Sequence, residues 1–118
     1  MHNDQSHVLV VEDDADLRTS LAELLHGAGY ESVLAANGAE AINCLEGRDA
    51  PCVVLVDLLM PGIVGQELLE YLHHDTRLAS IPVAIISASP ELAPEGYVVF
   101  RKPLDPVALL DFVRTGAA

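Results

Sequence analysis

Four apolar runs in this chain end in groups that can do chemistry. "VLVV" (8–11) is followed by Glu12, Asp13 and Asp14, "VVLV" (53–56) ends on Asp57, "AII" (84–86) on Ser87, and "VVF" (98–100) leads to Arg101 and Lys102. A lone carboxylate closing an apolar run costs several kcal/mol to bury, or its pKa rises. Asp57 therefore needs compensation or water. If Glu12 and Asp13 join it, three carboxylates repel one another unless a cation sits between them. A hard divalent ion is the natural remedy, and magnesium suits oxygen ligands while keeping positions open for a phosphoryl oxygen. Lys102, the only lysine in the chain, follows an apolar strand, where it can pair with acids or clamp a phosphate.

These residues need elements that bring them to one place. "HVLVV" reads as a strand, and the stretch after it carries Leu17, Leu21, Leu24, Leu25 and Ala28 on one helical face, stopping at Gly27 or Gly29. "ESVLAA" gives a second strand, and "GAEAINCLEG" a short helix closed by Gly47. "CVVLVD" is the third strand, and "GQELLEYLHH" a helix with Leu68, Leu69 and Leu72 inward. "IPVAIIS" and "YVVF" supply strands four and five. "DPVALLDFV" is a last helix, with Asp105 as N-cap, Pro106 at its first position and Leu109, Leu110 and Val113 as its core face. Apolar strands alternating with helices imply a five-stranded parallel sheet covered on both faces, a doubly wound α/β fold. In such a sheet the reactive crevice lies beyond the carboxyl ends of the strands, where the acids, Ser87 and Lys102 stand.

Composition narrows the classes. At 118 residues the chain is expected to be one domain over 1–118, with 1–6 as an N-terminal tail and no output domain after the last helix. Eighteen acidic residues against six basic ones leave a net charge of −12, which disfavours nucleic acid and anionic membrane surfaces as direct partners. With no signal peptide and no apolar run long enough to span a bilayer, a cytoplasmic protein is expected. Cys44 and Cys52 lack metal or disulfide spacing and read as free thiols.

The motifs "VLVVEDD", "VVLVDLLMPG", "AIISAS" and "FRKPLDP", in this order, resemble the receiver domain of two-component response regulators across nearly the whole chain. The resemblance implies a flavodoxin-like fold of receiver type. It implies that Asp57 takes a phosphoryl group from a phosphohistidine on a sensor histidine kinase or phosphotransfer protein. Asp13 and Asp57 would then bind Mg2+ directly, Glu12 through a water on the ion, and Leu59 through its backbone carbonyl. Lys102 would pair first with Asp57 and later with the phosphoryl oxygens, and the Ser87 hydroxyl would close on the phosphate. The family's Lys-Pro peptide, here Lys102–Pro103, is typically cis. Such a domain catalyses its own phosphorylation and is a signalling module rather than an enzyme acting on a separate substrate.

Two departures from the family pattern stand out. Only fourteen residues separate Ser87 from Lys102, and "SPELAPEG" cannot hold the family's fourth helix, because Pro94 and Gly96 break it. At most one turn fits there. These eight residues, extended at about 3.3 Å each, reach about 26 Å, enough to return along the sheet. The family's aromatic three positions before the lysine is Val99. Both changes fall on a face many receivers use for dimers or targets, so a partly uncovered apolar surface there is expected to invite an effector or a second copy.

Plainer readings weigh against each motif. "DDAD" also suits a helix N-terminus, which accounts for Asp14 and Asp16 but not for Asp57 or the lone lysine. Ser87 could merely satisfy backbone groups. His73 and His74, adjacent near a helix end, point about 100° apart and cannot chelate one ion. "MPG" reads as a turn. Two rival functions remain: a degenerate receiver acting as a phosphate-independent interaction module, and a haloacid-dehalogenase-like phosphatase. The latter wants a second aspartate two positions after the first, where this chain has Leu59.

Overall fold

The computed structural model of the protein describes residues 7–47, 49–57 and 65–116. The 1–6 tail, the "MPG" turn and Leu59 lie outside them. The described elements run β1 His7–Val11, α1 Ala15–Gly27, β2 Glu31–Ala35, α2 Gly38–Gly47, β3 Val53–Asp57, α3 Gly65–His74, β4 Val83–Ser87, β5 Val98–Arg101 and α4 Pro106–Thr115. The strands form one sheet in the order β2-β1-β3-β4-β5, each neighbouring pair parallel. This is the expected doubly wound α/β architecture.

Alternate side chains of the strands feed two cores. Val8, Val10, Leu55, Ala84 and Ile86 pack with Leu21 and Leu25 of α1 and Leu109, Phe112 and Val113 of α4. Leu9, Val11, Val54 and Val56 pack on the opposite face with Ala41 and Leu45 of α2 and Leu68 and Leu72 of α3. Every residue of β1 and β3 is buried, as expected for central strands covered on both faces. The edge strands β2 and β5 are only partly covered.

The helix ends follow local chemistry. The Asp14 carboxylate caps α1 by accepting from the Asp16 and Leu17 N–H groups, and Asp105 caps α4 through Val107 N–H at 3.0 Å. At α2 the cap is reciprocal: Glu40 N–H donates to the Asn37 side chain at 2.9 Å, and Ala36 N–H donates to the Glu40 carboxylate at 2.7 Å. α4 ends on Gly116 at φ 74°, in the left-handed region, where any Cβ would also come within 3.1 Å of Pro82.

Two inward positions differ from the sequence reading. In α4 the buried set is Leu109, Phe112 and Val113, spaced i, i+3 and i+4, so Phe112 joins the expected face, whereas Leu110 is only partly buried and packs at the edge of the same core. One residue along a helix turns the side chain about 100°, which carries Leu110 to the flank. Ala28 falls beyond the end of α1 and is exposed, because the chain leaves the helix into Gly29 at φ 93°.

The crossover from β4 to β5 holds one 3-10 turn, Pro90–Leu92, leaves it through Ala93 in an extended conformation, and turns again at Glu95 and Gly96, with Gly96 at φ 94°. The family's fourth helix is thus reduced to a single turn, which packs against β5. Ile85, at the middle of β4, is nevertheless fully buried. On this side of the sheet Val83 and Val99 are half-buried, while Leu92 on the turn is exposed. Two adjoining clefts of about 380 and 410 Å3 separate Leu69 and His73 of α3 from Tyr97.

Candidate functional site

Parallel pairing brings the strand ends to one rim. Val11 lies beside Val56, Asp57 beside Ile86, and Ser87 beside Arg101. Glu12 therefore leaves β1 next to Asp57 at the end of β3. Its N–H donates to the Ala35 carbonyl at 3.0 Å, carrying the ladder one residue past β1. Lys102 is set in the same way, its N–H donating to the Ser87 carbonyl at 2.9 Å. The Lys102–Pro103 peptide is cis, as the resemblance implied.

The side chains converge. Lys102 Nζ donates to Asp57 Oδ2 at 2.9 Å and lies 3.1 Å from Glu12 Oε1. One carboxylate oxygen each from Glu12, Asp13 and Asp57 lies within 4.8 Å of the others. Glu12 is fully buried and Asp57 nearly so, while Asp13 is exposed at the mouth. Glu12 Oε2 accepts the Asp14 N–H at 3.1 Å. Glu12 Oε1, also buried, lies within ion-pair range of the ammonium but has no hydrogen-bond partner.

This arrangement perturbs its own titration. Burial pushes the Glu12 carboxyl up to about 7, and the Asp57 charge adds to the rise, while the Asp14 N–H and Lys102 pull the other way. Burial alone would lower the Lys102 pKa, but its hydrogen bond to Asp57 and the negative charges of Asp57 and Glu12 beside it prevail and hold it above the usual lysine value.

An all-oxygen donor set with one member at the mouth, and a buried carboxylate oxygen lacking a hydrogen bond, fits a hard divalent cation. Of the residues singled out from sequence, Glu12, Asp13, Asp57 and Lys102 thus meet in one cluster. Ser87 closes β4 on the same rim, buried, with its Oγ accepting the Ser89 N–H at 2.9 Å. That bond leaves the hydroxyl hydrogen for another acceptor. Leu59 lies outside the described residues.

Other side chains keep their plainer roles. His73 and His74 are exposed with ring planes at 87°, and His74 Nδ1 lies 2.8 Å from the Glu70 carbonyl at the helix end. Cys44 and Cys52 are free thiols. Sequence reasoning missed Arg18, whose guanidinium reaches back from α1 to the carbonyls of Glu12 and Asp13. The signal was an arginine in the first turn after an acidic run, a pattern that ordinarily marks a solvated helix face.

A five-stranded parallel sheet with acids, a hydroxyl and a lysine at its carboxyl rim defines a receiver-type α/β domain. The chain belongs to the response regulator receiver domain family of two-component signalling, whose pattern it matches over residues 8–113. It is similar to the C4-dicarboxylate transport transcriptional regulatory protein DctD of Pseudomonas aeruginosa, 37% identical over 93% of this chain and 25% of that one. It is similar as well to Protein Rrf1 of Nitratidesulfovibrio vulgaris, 31% identical over 92% of this chain and 80% of the other. Against DctD and the response regulator Rre1 of Synechocystis, the chain spans a quarter and about half of the relative's length. Among solved structures, the chemotaxis response regulator CheY4 of Vibrio cholerae superposes with a TM-score of 0.84 at 27% identity, covering 95% of this chain and 98% of its own. The receiver domain of the hybrid histidine kinase CckA gives 0.80 at 32%, covering 96% and 100%. No helix among the described residues is long and apolar enough to cross a membrane.

Proposed function

We propose that this domain is a phosphoacceptor switch, in which an Asp57 carboxylate oxygen attacks the phosphorus of a phosphohistidine on a sensor histidine kinase or phosphotransfer protein. The P–N bond breaks as the P–O bond forms, and the imidazole leaves with the electron pair. The observation that carries this reading is the cluster itself: Asp57 Oδ2 2.9 Å from the only lysine, with Glu12 and Asp13 oxygens beside it.

Phosphoryl transfer asks a protein mainly for alignment and for charge to offset that on the equatorial oxygens. Glu12, Asp13 and Asp57, with the backbone carbonyl of Leu59, would hold Mg2+. When bound, that ion supplies neutralisation of the phosphoryl charge and a template for alignment. Lys102 holds the Asp57 carboxylate in place beforehand and then turns its ammonium to a phosphoryl oxygen. Ser87 donates its hydroxyl hydrogen to another. Roughly two added negative charges at the rim draw the loop after β4 inward and shift the population of the β4–β5 crossover. A cytoplasmic setting follows from this chemistry with a kinase.

Output then runs through the crossover face to an effector. A second copy is disfavoured, because Glu70 and Glu95 flank the clefts there and a net charge of −12 repels its like.

Incubation with acetyl phosphate and Mg2+ followed by intact mass measurement tests the reading. One labile phosphate is expected on the wild type and none on Asp57→Asn. No adduct from any donor would overturn it and favour a phosphate-independent module.

A further inference from the structure

The acidic loop after β1 is fastened on both of its backbone edges. On the amide side, Glu12 N–H is held by the Ala35 carbonyl and Asp14 N–H by Glu12 Oε2. On the carbonyl side, Arg18 Nη1 in the first turn of α1 donates to the Glu12 carbonyl at 2.9 Å and the Asp13 carbonyl at 3.2 Å. Arg18 is itself half-buried, and its own N–H bonds the Asp14 carbonyl at 2.9 Å as part of α1. A rigid helix thereby grips the two residues whose carboxylates meet Asp57.

We propose that Arg18 is a positioning residue for the cation site: it holds the Glu12–Asp13 backbone so that the exposed Asp13 carboxylate stays at the mouth, facing Glu12 and Asp57. This rests on the reading of that cluster as a divalent-cation site. Asp13 has particular need of such a hold, since it lies past the end of β1 and before α1 begins, at a position where the backbone would otherwise wander. Partners standing behind a metal ligand typically set affinity by 10–100-fold when removed, because they fix ligand orientation before the ion arrives.

Two effects of Arg18 oppose each other, and their signs separate them. As a nearby positive charge it repels a divalent cation, so removing it should tighten binding if charge were its only role. As a clamp it lowers the cost of arranging the ligands, so removing it should weaken binding. A residue serving only the stability of α1 would change the melting temperature and leave affinity alone.

Titrating Mg2+ calorimetrically into the wild type and into Arg18→Ala, Arg18→Gln and Arg18→Lys, each checked for folding by circular dichroism, decides the matter. The clamp predicts that Ala weakens Mg2+ binding about tenfold, that Gln weakens it less, and that Lys, which keeps the charge and N–H donors on an arm one atom shorter, stays nearest the wild type. Gln carries the test should Ala fail to fold. Affinity equal to or tighter than wild type in Ala or Gln overturns the proposal while leaving the cation site intact. A wild type that binds no Mg2+ overturns the site and the clamp together.

Discussion

Glu12 is the residue on which the electrostatics of the rim turn. With its pKa raised from 4.5 to about 7, the folded state holds a proton that the unfolded chain has released. Between pH 4.5 and 7 the unfolded state binds fewer protons, so this group makes stability fall as pH rises; below 4.5 it contributes nothing, and above 7 its penalty is complete. In metal-free buffer, urea midpoints of the wild type should therefore decline relative to Glu12→Gln across that window. A divalent cation competes with the same proton, so Mg2+ affinity should climb with pH up to about 7 and then level off, as pH-dependent calorimetry would register. Lys102→Met leaves two buried carboxylates without their ammonium. It should cost about 2 kcal/mol at pH 8, discounted from the full cost of a broken buried pair because Lys102 is a quarter exposed. The loss should shrink at pH 5, where Glu12 is protonated. Asp57 and Lys102 were legible from sequence because each is anomalous where it stands: an acid closing an apolar run, and a solitary lysine after another. Arg18 was not, since an arginine near a helix start shows which carbonyls it meets only when the chain has folded back.

At the scale of elements, caps and periodicity account for most of what could be read. Asp105→Ala should remove the cap of α4 and cost about 1 kcal/mol in urea unfolding, with the rim geometry unchanged. Phe112 and Leu110 offer a sharper comparison. Phe112 is buried and meets Phe100 edge to face at 5.8 Å, so Phe112→Ala should cost about 3–4 kcal/mol. Leu110→Ala, at a half-covered flank, should cost about 1 kcal/mol. The reverse order would place the inward face of α4 where the sequence reading had it. That reading erred because apolar residues at 109, 110, 112 and 113 permit two faces one residue apart, and only the sheet beneath selects between them. The shortened crossover was plain in advance, since Pro94 and Gly96 rule out a helix by their own backbones. The full burial of Ile85 beside so short a crossover was not plain, for it depends on how elements distant in the chain pack on β4.

For the whole molecule, net charge is the dominant global property. At −12 the folded chain repels itself, and compaction brings those charges closer than they are in the unfolded chain. Raising monovalent salt from about 0.01 M to about 0.15 M shortens the screening length from about 30 Å to about 8 Å, so the urea midpoint should rise. Unchanged stability would mean that the acids are too dispersed on the surface for their repulsion to matter. Mg2+ should stabilise well beyond its ionic strength if the rim binds it specifically, and Asp57→Asn should blunt that excess.

The sequence alone determined the order of strands and helices, the two-sided burial of the sheet, the missing helix and which residue types stand at the strand ends. All of these follow from local periodicity, turn chemistry and the sterics of proline. Tertiary structure decided which of those residues touch: that Lys102 spans to both Glu12 and Asp57, that Glu12 is buried deeply enough to hold a proton near neutrality, and that Arg18 grips the loop behind it. Distances between strand ends and the depth of a carboxylate depend on register and packing, which join residues that are far apart along the chain.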